Sequence, residues 1–301
     1  MRRLYTLLLI LSVGLVVSCG QGAKESEQTV VNLSDIEVST QVGKRKIYYR
    51  FPSPNDLISY IKSEQLVYSE LFLNPTDNAD RYLGSRLQLF NLGVFSADFA
   101  FITVFKNLSH AAKYFEAVEK IAYKNGLSPV FNESLRAKVQ RNQNNMDSLS
   151  TIARDSYIEM VNHLTLSGRE KQLAIISAGG YVEVLHLSIV QIDNTTDKQP
   201  ILARVYDQRL GLENLIRFMN DYTSDDKWVL ELQGDLKDLL AAIKLGESEP
   251  VQATKEEVNA GEFALIAQVK PVHYSAENYT TLKTTILKLR NKYTNPFLQE
   301  R

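Results

Sequence analysis

Two long stretches of the chain are apolar at nearly every position. The first covers residues 85–105, SRLQLFNLGVFSADFAFITVF, and the second covers residues 173–192, LAIISAGGYVEVLHLSIVQI. An α-helix that is apolar all round must be buried on all sides. The pattern therefore predicts two core helices, around which the rest of the chain packs.

Capping signals and apolar stripes at helical spacing predict further helices around this pair. Ser53-Pro54 begins one of them, and Asp77 caps a long helix that runs through the first apolar stretch to about residue 106. Gly126 is a stop signal, and Ser167-Gly168 is a tight connection. The remaining predicted helices cover residues 109–126, 132–144, 147–166, 169–192, 200–222, 225–245 and 277–293.

Weaker patterns near the two ends predict a little extended structure. Residues 36–51 alternate around Gly43, which suits a short hairpin or an extended lead-in. Residues 246–260 read as a loop and residues 263–274 as extended. The sequence thus predicts an all-α fold: stacked antiparallel helix pairs around two buried apolar helices, with minor extended segments near the ends.

The N-terminus has the pattern of a lipoprotein signal peptide. Arg2 and Arg3 precede an apolar run that is too short to span a membrane, and Val16-Val17-Ser18-Cys19 matches a bacterial lipobox. The alternative is an ordinary secretory signal with an incidental cysteine. We expect residues 1–18 to be removed, Cys19 to carry lipid, residues 19–45 to form a flexible tether, and residues 46–301 to form one helical domain.

Composition narrows the classes of partner. Cys19 is the one cysteine in the chain, which leaves no intrachain disulfide. Removal of Arg2 and Arg3 lowers the count of basic residues from 34 to 32, against 35 acidic residues, a net charge of −3. A dedicated nucleic-acid surface would show an excess of Lys and Arg. We therefore expect the membrane, reached through the lipid, as a partner, and no nucleic acid.

Each apolar helix contains small and polar residues that are unfavourable in a buried helix unless they serve a structural or functional role. They are Asn91, Gly93 and Asp98 in the first helix, and Gly179, Gly180 and Glu183 in the second. Glycines permit a close helix crossing, and a buried carboxylate needs a partner or a proton. We expect a structural polar core. The arginines expected to supply a partner are Arg81, Arg86, Arg154 and Arg204.

The chemistry-bearing motifs are few. Glu183 and His186 have the Glu-x-x-His spacing of helical di-iron sites, but such sites need two of these pairs. Ser96 and Ser177 lie in apolar helices without a neighbouring histidine. Gly179-Gly180 lacks the Lys-Ser/Thr sequel of a phosphate-binding loop. We expect no metal, no cofactor and no catalytic residue.

Five blocks occur in order along the chain: FPSP at 51–54, LNP at 73–75, NLGVFSAD at 91–98, NMDS at 145–148 and AGGYVE at 178–183. With them the chain resembles a group of helical envelope lipoproteins of Bacteroidota that carry NLGVY-AD and AGGW-E blocks. Phe95 and Tyr181 stand where the group more usually has tyrosine and tryptophan. The resemblance covers most of the mature chain. It implies an all-helical lipoprotein of the cell envelope, and it implies no activity.

Three functional hypotheses follow. The first is a non-enzymatic binding or assembly protein held at the envelope, facing the periplasm or the surface, with a partner that the sequence does not identify. The second is a receptor for a small ligand or peptide in a groove between helices. The third, ranked last, is an enzyme that uses Asp98 and Glu183. The direction in which these two acids point discriminates between the hypotheses.

Overall fold

A computed structural model of the chain describes residues 35–42, 45–52, 67–105, 107–222, 226–246, 253–257, 263–267 and 272–298. The predicted signal peptide, Cys19 and the helix predicted from Ser53 lie outside these residues. Within the described ranges the chain forms eight α-helices and two antiparallel strand pairs. The all-α prediction is confirmed.

Most of the helices follow one another through short connections, whereas a long segment that contains two strands separates the last two of the described α-helices. Three single-turn 3-10 helices, Glu70–Phe72, Thr76–Asp80 and Pro296–Leu298, flank them. The α-helices are α1 Ser85–Val104, α2 Leu108–Lys124, α3 Glu133–Arg141, α4 Met146–Leu166, α5 Glu170–Asn194, α6 Gln199–Tyr222, α7 Lys227–Ile243 and α8 Ala276–Thr294.

Two short hairpins account for the strands. β1 (Asp35–Val42) pairs antiparallel with β2 (Arg45–Pro52), and β3 (Ala253–Glu257) pairs with β4 (Phe263–Ala267). The first hairpin is the one predicted around Gly43, although β1 falls inside the range assigned to the tether. The prediction of a loop over residues 246–260 is wrong where β3 forms, because the partner strand β4 satisfies its backbone groups.

The two apolar helices form the centre of the fold. α1 and α5 pack against each other, α2, α4 and α8 pack on α1, and α4, α6 and α8 pack on α5. Asp226, at the start of α7, forms ion pairs with Arg86 near the start of α1 and with Lys171 near the start of α5. α1 and α5 therefore begin at the same end of the bundle.

α1 and α5 are both long and apolar enough to cross a membrane by length and composition. In this fold, however, 83% of the apolar window of α1 and 94% of that of α5 are buried inside the protein. Their hydropathy is what a central helix of a helical domain requires.

The helix ends follow the capping signals of the sequence. Asn132, Asn145 and Ser275 each accept a hydrogen bond from the backbone N–H three residues on, at the starts of α3, α4 and α8. Gly126 and Gly168 have positive φ angles just after α2 and α4. These angles suit glycine, which lacks the Cβ that disfavours the left-handed region.

The long helix predicted from Asp77 is interrupted. The chain forms a 3-10 turn at Thr76–Asp80, leaves it, and starts α1 at Ser85 after Gly84, whose φ is +82°. The break turns Tyr82 inward, where it is 2% exposed and donates a hydrogen bond to the carbonyl of Thr294 in α8.

Candidate functional site: a buried ion pair between the central helices

Glycines bring the backbones of α1 and α5 into contact. A Cβ on Gly93 would lie 1.9 Å from the carbonyl oxygen of Ile176 and 2.6 Å from the amide nitrogen of Gly180. A Cβ on Gly179 would lie 1.9 Å from the carbonyl oxygen of Phe90. No side chain fits at Gly93 or Gly179 without displacing backbone. The contact places the carboxyls of Asp98 and Glu183, farther along the same two helices, within hydrogen-bonding distance of each other.

Glu183 is held by an arginine of the last helix. Arg290 donates from Nε to Oε2 at 2.7 Å and from Nη2 to Oε1 at 2.8 Å. The Glu183 side chain is 0% exposed and the Arg290 side chain 17% exposed. A bidentate pair of this kind uses both carboxylate oxygens and fixes the orientation of both groups.

Asp98 has a different environment although it lies beside Glu183. Its Oδ2 accepts a hydrogen bond from the backbone N–H of Asn74 at 3.1 Å. Its Oδ1 is buried and has no donor to accept from among the described residues. A proton on Asp98 resolves this, because the neutral acid can donate to the neighbouring Glu183 carboxylate.

The pKa values of the two carboxyls move in opposite directions. Burial, reinforced by the negative charge of Glu183, raises the pKa of Asp98 well above its usual range. Burial also acts to raise the pKa of Glu183, but the charge and hydrogen bonds of Arg290 outweigh it and hold that pKa below its usual value. Asp98 is therefore the neutral acid of the pair, and Glu183 is the anion.

His186 lies one helical turn after Glu183 and is neutral. Burial lowers the pKa of its imidazole. Its Nε2 lies 3.0 Å from the carbonyl oxygen of Phe72, which assigns the proton to Nε2. Its Nδ1 is buried and has no hydrogen-bond partner among the described residues. A second proton would place an unpaired donor at Nδ1, which adds to the penalty of charging a buried ring.

A second set of polar groups extends this cluster toward the start of α1. Asn91 donates from Nδ2 to the carbonyls of Leu87 and Tyr293, and its Oδ1 accepts from the Asn74 side chain. Asn74 also donates to the Tyr82 hydroxyl at 2.8 Å. The segment 67–82 thus joins α1, α5 and α8 through buried hydrogen bonds, and Asn74 connects Asn91 to Asp98.

The arginines expected as partners of the buried acids lie elsewhere, and that prediction is wrong. Arg86 pairs with Asp226, Arg154 with Asp155 and Arg204 with Asp207, and Arg81 lies over the ring of Phe297. Arg290 was missed because α8 reads as an ordinary amphipathic helix with basic residues near its C-terminus. Nothing in the local sequence distinguishes Arg290 from Lys288 or Lys292.

The other sequence candidates have local roles or none. The Ser96 hydroxyl donates to the carbonyl of Leu92, and Ser177 Oγ is buried without a hydrogen-bond partner among the described residues. The same part of the chain holds no group of three or more His, Cys, Asp or Glu side chains that could bind a metal ion. Glu183 and His186 share a helix face, but the partner that Glu183 meets is a guanidinium.

One apolar cavity lies between α1, α2 and α4. Its volume is about 20 Å³, about what one water molecule needs. An open depression of about 470 Å³ also lies on the outer side of α8, next to Lys288 and Arg290. The residues that line the cavity are Ser96, Phe99, Phe115, Val118, Phe131, Ala153, Ser156, Tyr157 and Met160.

No protein-family model, characterised protein or solved structure matches this chain.

Proposed function

We propose that this protein is a lipid-anchored module of the bacterial cell envelope that acts by binding or assembly rather than by catalysis. The lipobox that ends at Cys19 supports the anchor. The resemblance to helical envelope lipoproteins supports the same compartment.

The non-enzymatic part of the proposal rests on one observation: the two buried acids are already bound by other side chains and backbone groups. A catalytic acid must come within hydrogen-bond reach of its substrate. Glu183 and Asp98 are both 0% exposed. Both oxygens of Glu183 are bound by Arg290, and Asp98 is bound by Asn74 and Glu183. A substrate would have to displace the contacts that join α1, α5 and α8.

The receptor hypothesis draws less support. A pocket for a small molecule normally encloses roughly 300–1,000 Å³. The cavity between α1, α2 and α4, at about 20 Å³, is far below that range. The depression outside α8 has the volume but is open to solvent, and the described residues that line it belong to one helix: Thr284, Leu287, Lys288, Arg290 and Asn291.

The anchor is tested by the mass of the mature N-terminal peptide isolated from membranes. The proposal predicts a peptide that begins at Cys19 and carries the added mass of a diacylglycerol. It also predicts metabolic labelling of the wild type by an alkyne fatty acid and loss of that label in Cys19→Ser. An unmodified Cys19, or a mature N-terminus elsewhere, would contradict it.

The assembly role is tested by mild detergent solubilisation of envelopes followed by native electrophoresis. The proposal predicts that most of the protein migrates in a complex larger than one copy. It also predicts that chemical cross-linking of envelopes yields covalent species larger than one chain. Migration as a single copy, with no cross-linked species above one chain, would count against assembly.

A further inference from the structure

Large apolar side chains that are more than half exposed are unevenly distributed over the described surface. Seven such side chains occur there, and five belong to one end of the bundle. That end is where α1, α5 and α7 begin and where α2, α4, α6 and α8 finish. We call it the basal end. Its five exposed side chains are Leu83 (71%), Tyr123 (73%), Leu166 (88%), Phe297 (63%) and Leu298 (52%).

Contacts between the segments place these side chains at a common end. Asp80 pairs with Lys120 and Lys124, which joins the turn before Leu83 to the end of α2. Arg169 donates to the carbonyl of Gly126, which joins the start of α5, just after Leu166, to the same place. Arg81 lies over the ring of Phe297, with 5.5 Å between its guanidinium carbon and the ring centroid.

The basal end carries more cations than anions. Two of its carboxylates, Asp80 and Asp226, each contact two cations. Over residues 77–86, 120–126, 166–171 and 221–228 of the sequence, seven cations against six carboxylates give a surplus of one positive charge. The cations are Arg81, Arg86, Lys120, Lys124, Arg169, Lys171 and Lys227, and the carboxylates are Asp77, Asp80, Glu170, Asp221, Asp225 and Asp226.

We propose that the basal end docks on an anionic phospholipid surface, with Leu83, Tyr123 and Leu166 entering the headgroup region. Leucine and aromatic tips beside Lys and Arg are the composition of interfacial membrane contacts, in which apolar groups enter the boundary and cations meet lipid phosphates. The proposal rests on the proposed lipid anchor and adds the orientation in which the anchored domain sits.

Because the lipid anchor holds the domain beside the membrane, a small contact area between the basal end and the lipid is sufficient for docking. A surface tethered beside its target binds it at a high effective concentration, so weak contacts suffice. Residues 19–34, between the lipidation site and β1, can span at most roughly 50–60 Å. That reach exceeds the roughly 37 Å length of α5, the longest described helix. The tether therefore permits the basal end to reach the membrane.

Fluorescence quenching by brominated lipids tests the docking. The chain has one tryptophan, Trp228, so a Trp228→Phe background allows a single probe. In this background, full-length lipidated Tyr123→Trp is compared with Leu210→Trp, a control position that is 58% exposed on α6. Both variants are reconstituted into vesicles of phosphatidylglycerol and phosphatidylethanolamine with brominated acyl chains. We expect quenching of the Tyr123→Trp variant to exceed that of the control at least about twofold, and to fall in phosphatidylcholine vesicles.

Equal quenching of the two variants on vesicles that carry the protein would overturn the docking proposal, and a protein partner for the basal end would then be the better reading. Quenching that is the same on anionic and zwitterionic lipid would overturn the anionic preference. Whether Cys19 carries lipid is measured separately, from the mass of the mature N-terminal peptide. If the lipid is absent, both variants are mixed with excess vesicles, and the same comparison decides the docking.

Discussion

At the scale of single residues, the central feature is the proton held by Asp98. The Asp98 and Glu183 carboxyls lie side by side in a buried site that holds one cation, Arg290. Two adjacent anions would repel each other, so one carboxyl keeps a proton. Glu183 has the guanidinium and is ionised, and Asp98 stays neutral. This assignment follows from which carboxyl the guanidinium contacts.

The proton predicts a particular pH dependence of stability. The pKa of Asp98 is about 3.9 in an unfolded chain and is raised well above that in the fold. Above about pH 4 the unfolded chain loses this proton while the folded protein keeps it, so the contribution of Asp98 falls as pH rises. We expect the free energy of unfolding of the wild type to fall relative to Asp98→Asn between pH 5 and 8, by up to about 1.4 kcal/mol per pH unit.

Urea unfolding of both proteins at several pH values measures this difference. Asn keeps a donor at the Asp98 position, and the titratable groups around that position are common to both proteins. They are Glu183, His186, Arg290, Tyr68, Tyr82 and Tyr114. A difference that is constant between pH 5 and 8, or one that grows in favour of the wild type, would show that Asp98 is ionised in the fold.

The burial of the polar residues is readable from the sequence, but their partners are not. Asn91, Asp98 and Glu183 are surrounded by apolar positions on all faces of their helices, which predicts burial without tertiary information. Arg290 is 107 positions from Glu183. Its helix has an ordinary exposed face, so only the packing of α8 against α5 shows which of its cations turns inward.

At the scale of elements, the crossing of α1 and α5 depends on two glycines, and alanine substitution tests this. A Cβ at Gly93 or Gly179 would meet backbone oxygen at 1.9 Å, which the helices can relieve only by moving apart. We expect Gly93→Ala and Gly179→Ala to destabilise by roughly 1–3 kcal/mol or more through overpacking. Thermal and urea unfolding measure the loss.

Gly234 is the matched control for this experiment. It lies within α7, and a Cβ there would meet nothing within 4 Å. Because alanine is the better helix former by about 1 kcal/mol, Gly234→Ala should stabilise the protein. A similar response at all three positions would mean that helix propensity, and not the close crossing, governs them.

Most helix boundaries were predictable because they depend on local chemistry. The side chains of Asn132, Asn145 and Ser275 cap the helices that follow them, and Gly126 ends α2 because it lacks a Cβ and adopts a positive φ. The break at Gly84 was missed because the reason for it is distant: Tyr82 turns inward to the carbonyl of Thr294. β3 was missed because its residues, ATKEE, are polar and gain order from pairing with β4.

At the scale of the whole molecule, the ion pair fastens the last helix to the core. α8 begins 82 positions after α5 ends, and Arg290 connects it to Glu183 at the centre of α5. The carbonyls of Tyr293 and Thr294 accept hydrogen bonds from Asn91 and Tyr82, which adds the start of α1. The buried polar groups thus join the first and last of the described α-helices, α1 and α8.

The fold class was therefore predictable from the sequence, while the pairing of residues within the site was not, and the compartment stays a prediction. Apolar periodicity reports what is buried, and the lipobox is a local signal. The basal end and the Glu183–Arg290 pair both arise from segments that lie far apart in the chain, so no local pattern predicts them.

The most direct test of the structural role of Glu183 is a double-mutant cycle in urea on Glu183→Gln, Arg290→Gln and the double variant. Breaking one side of a buried pair leaves the other charge uncompensated, so each single variant should lose about 3–5 kcal/mol of unfolding free energy. The double variant should lose less than the sum of the two losses, with a coupling energy of about 0.5–3 kcal/mol.

Lys283→Gln is the control, because it breaks a more exposed ion pair, Lys283–Asp193, between the same two helices. This variant should lose less than about 1 kcal/mol of unfolding free energy. A Glu183→Gln variant as stable as the wild type, or more stable, would contradict the account, because that is the usual response to removing a catalytic acid.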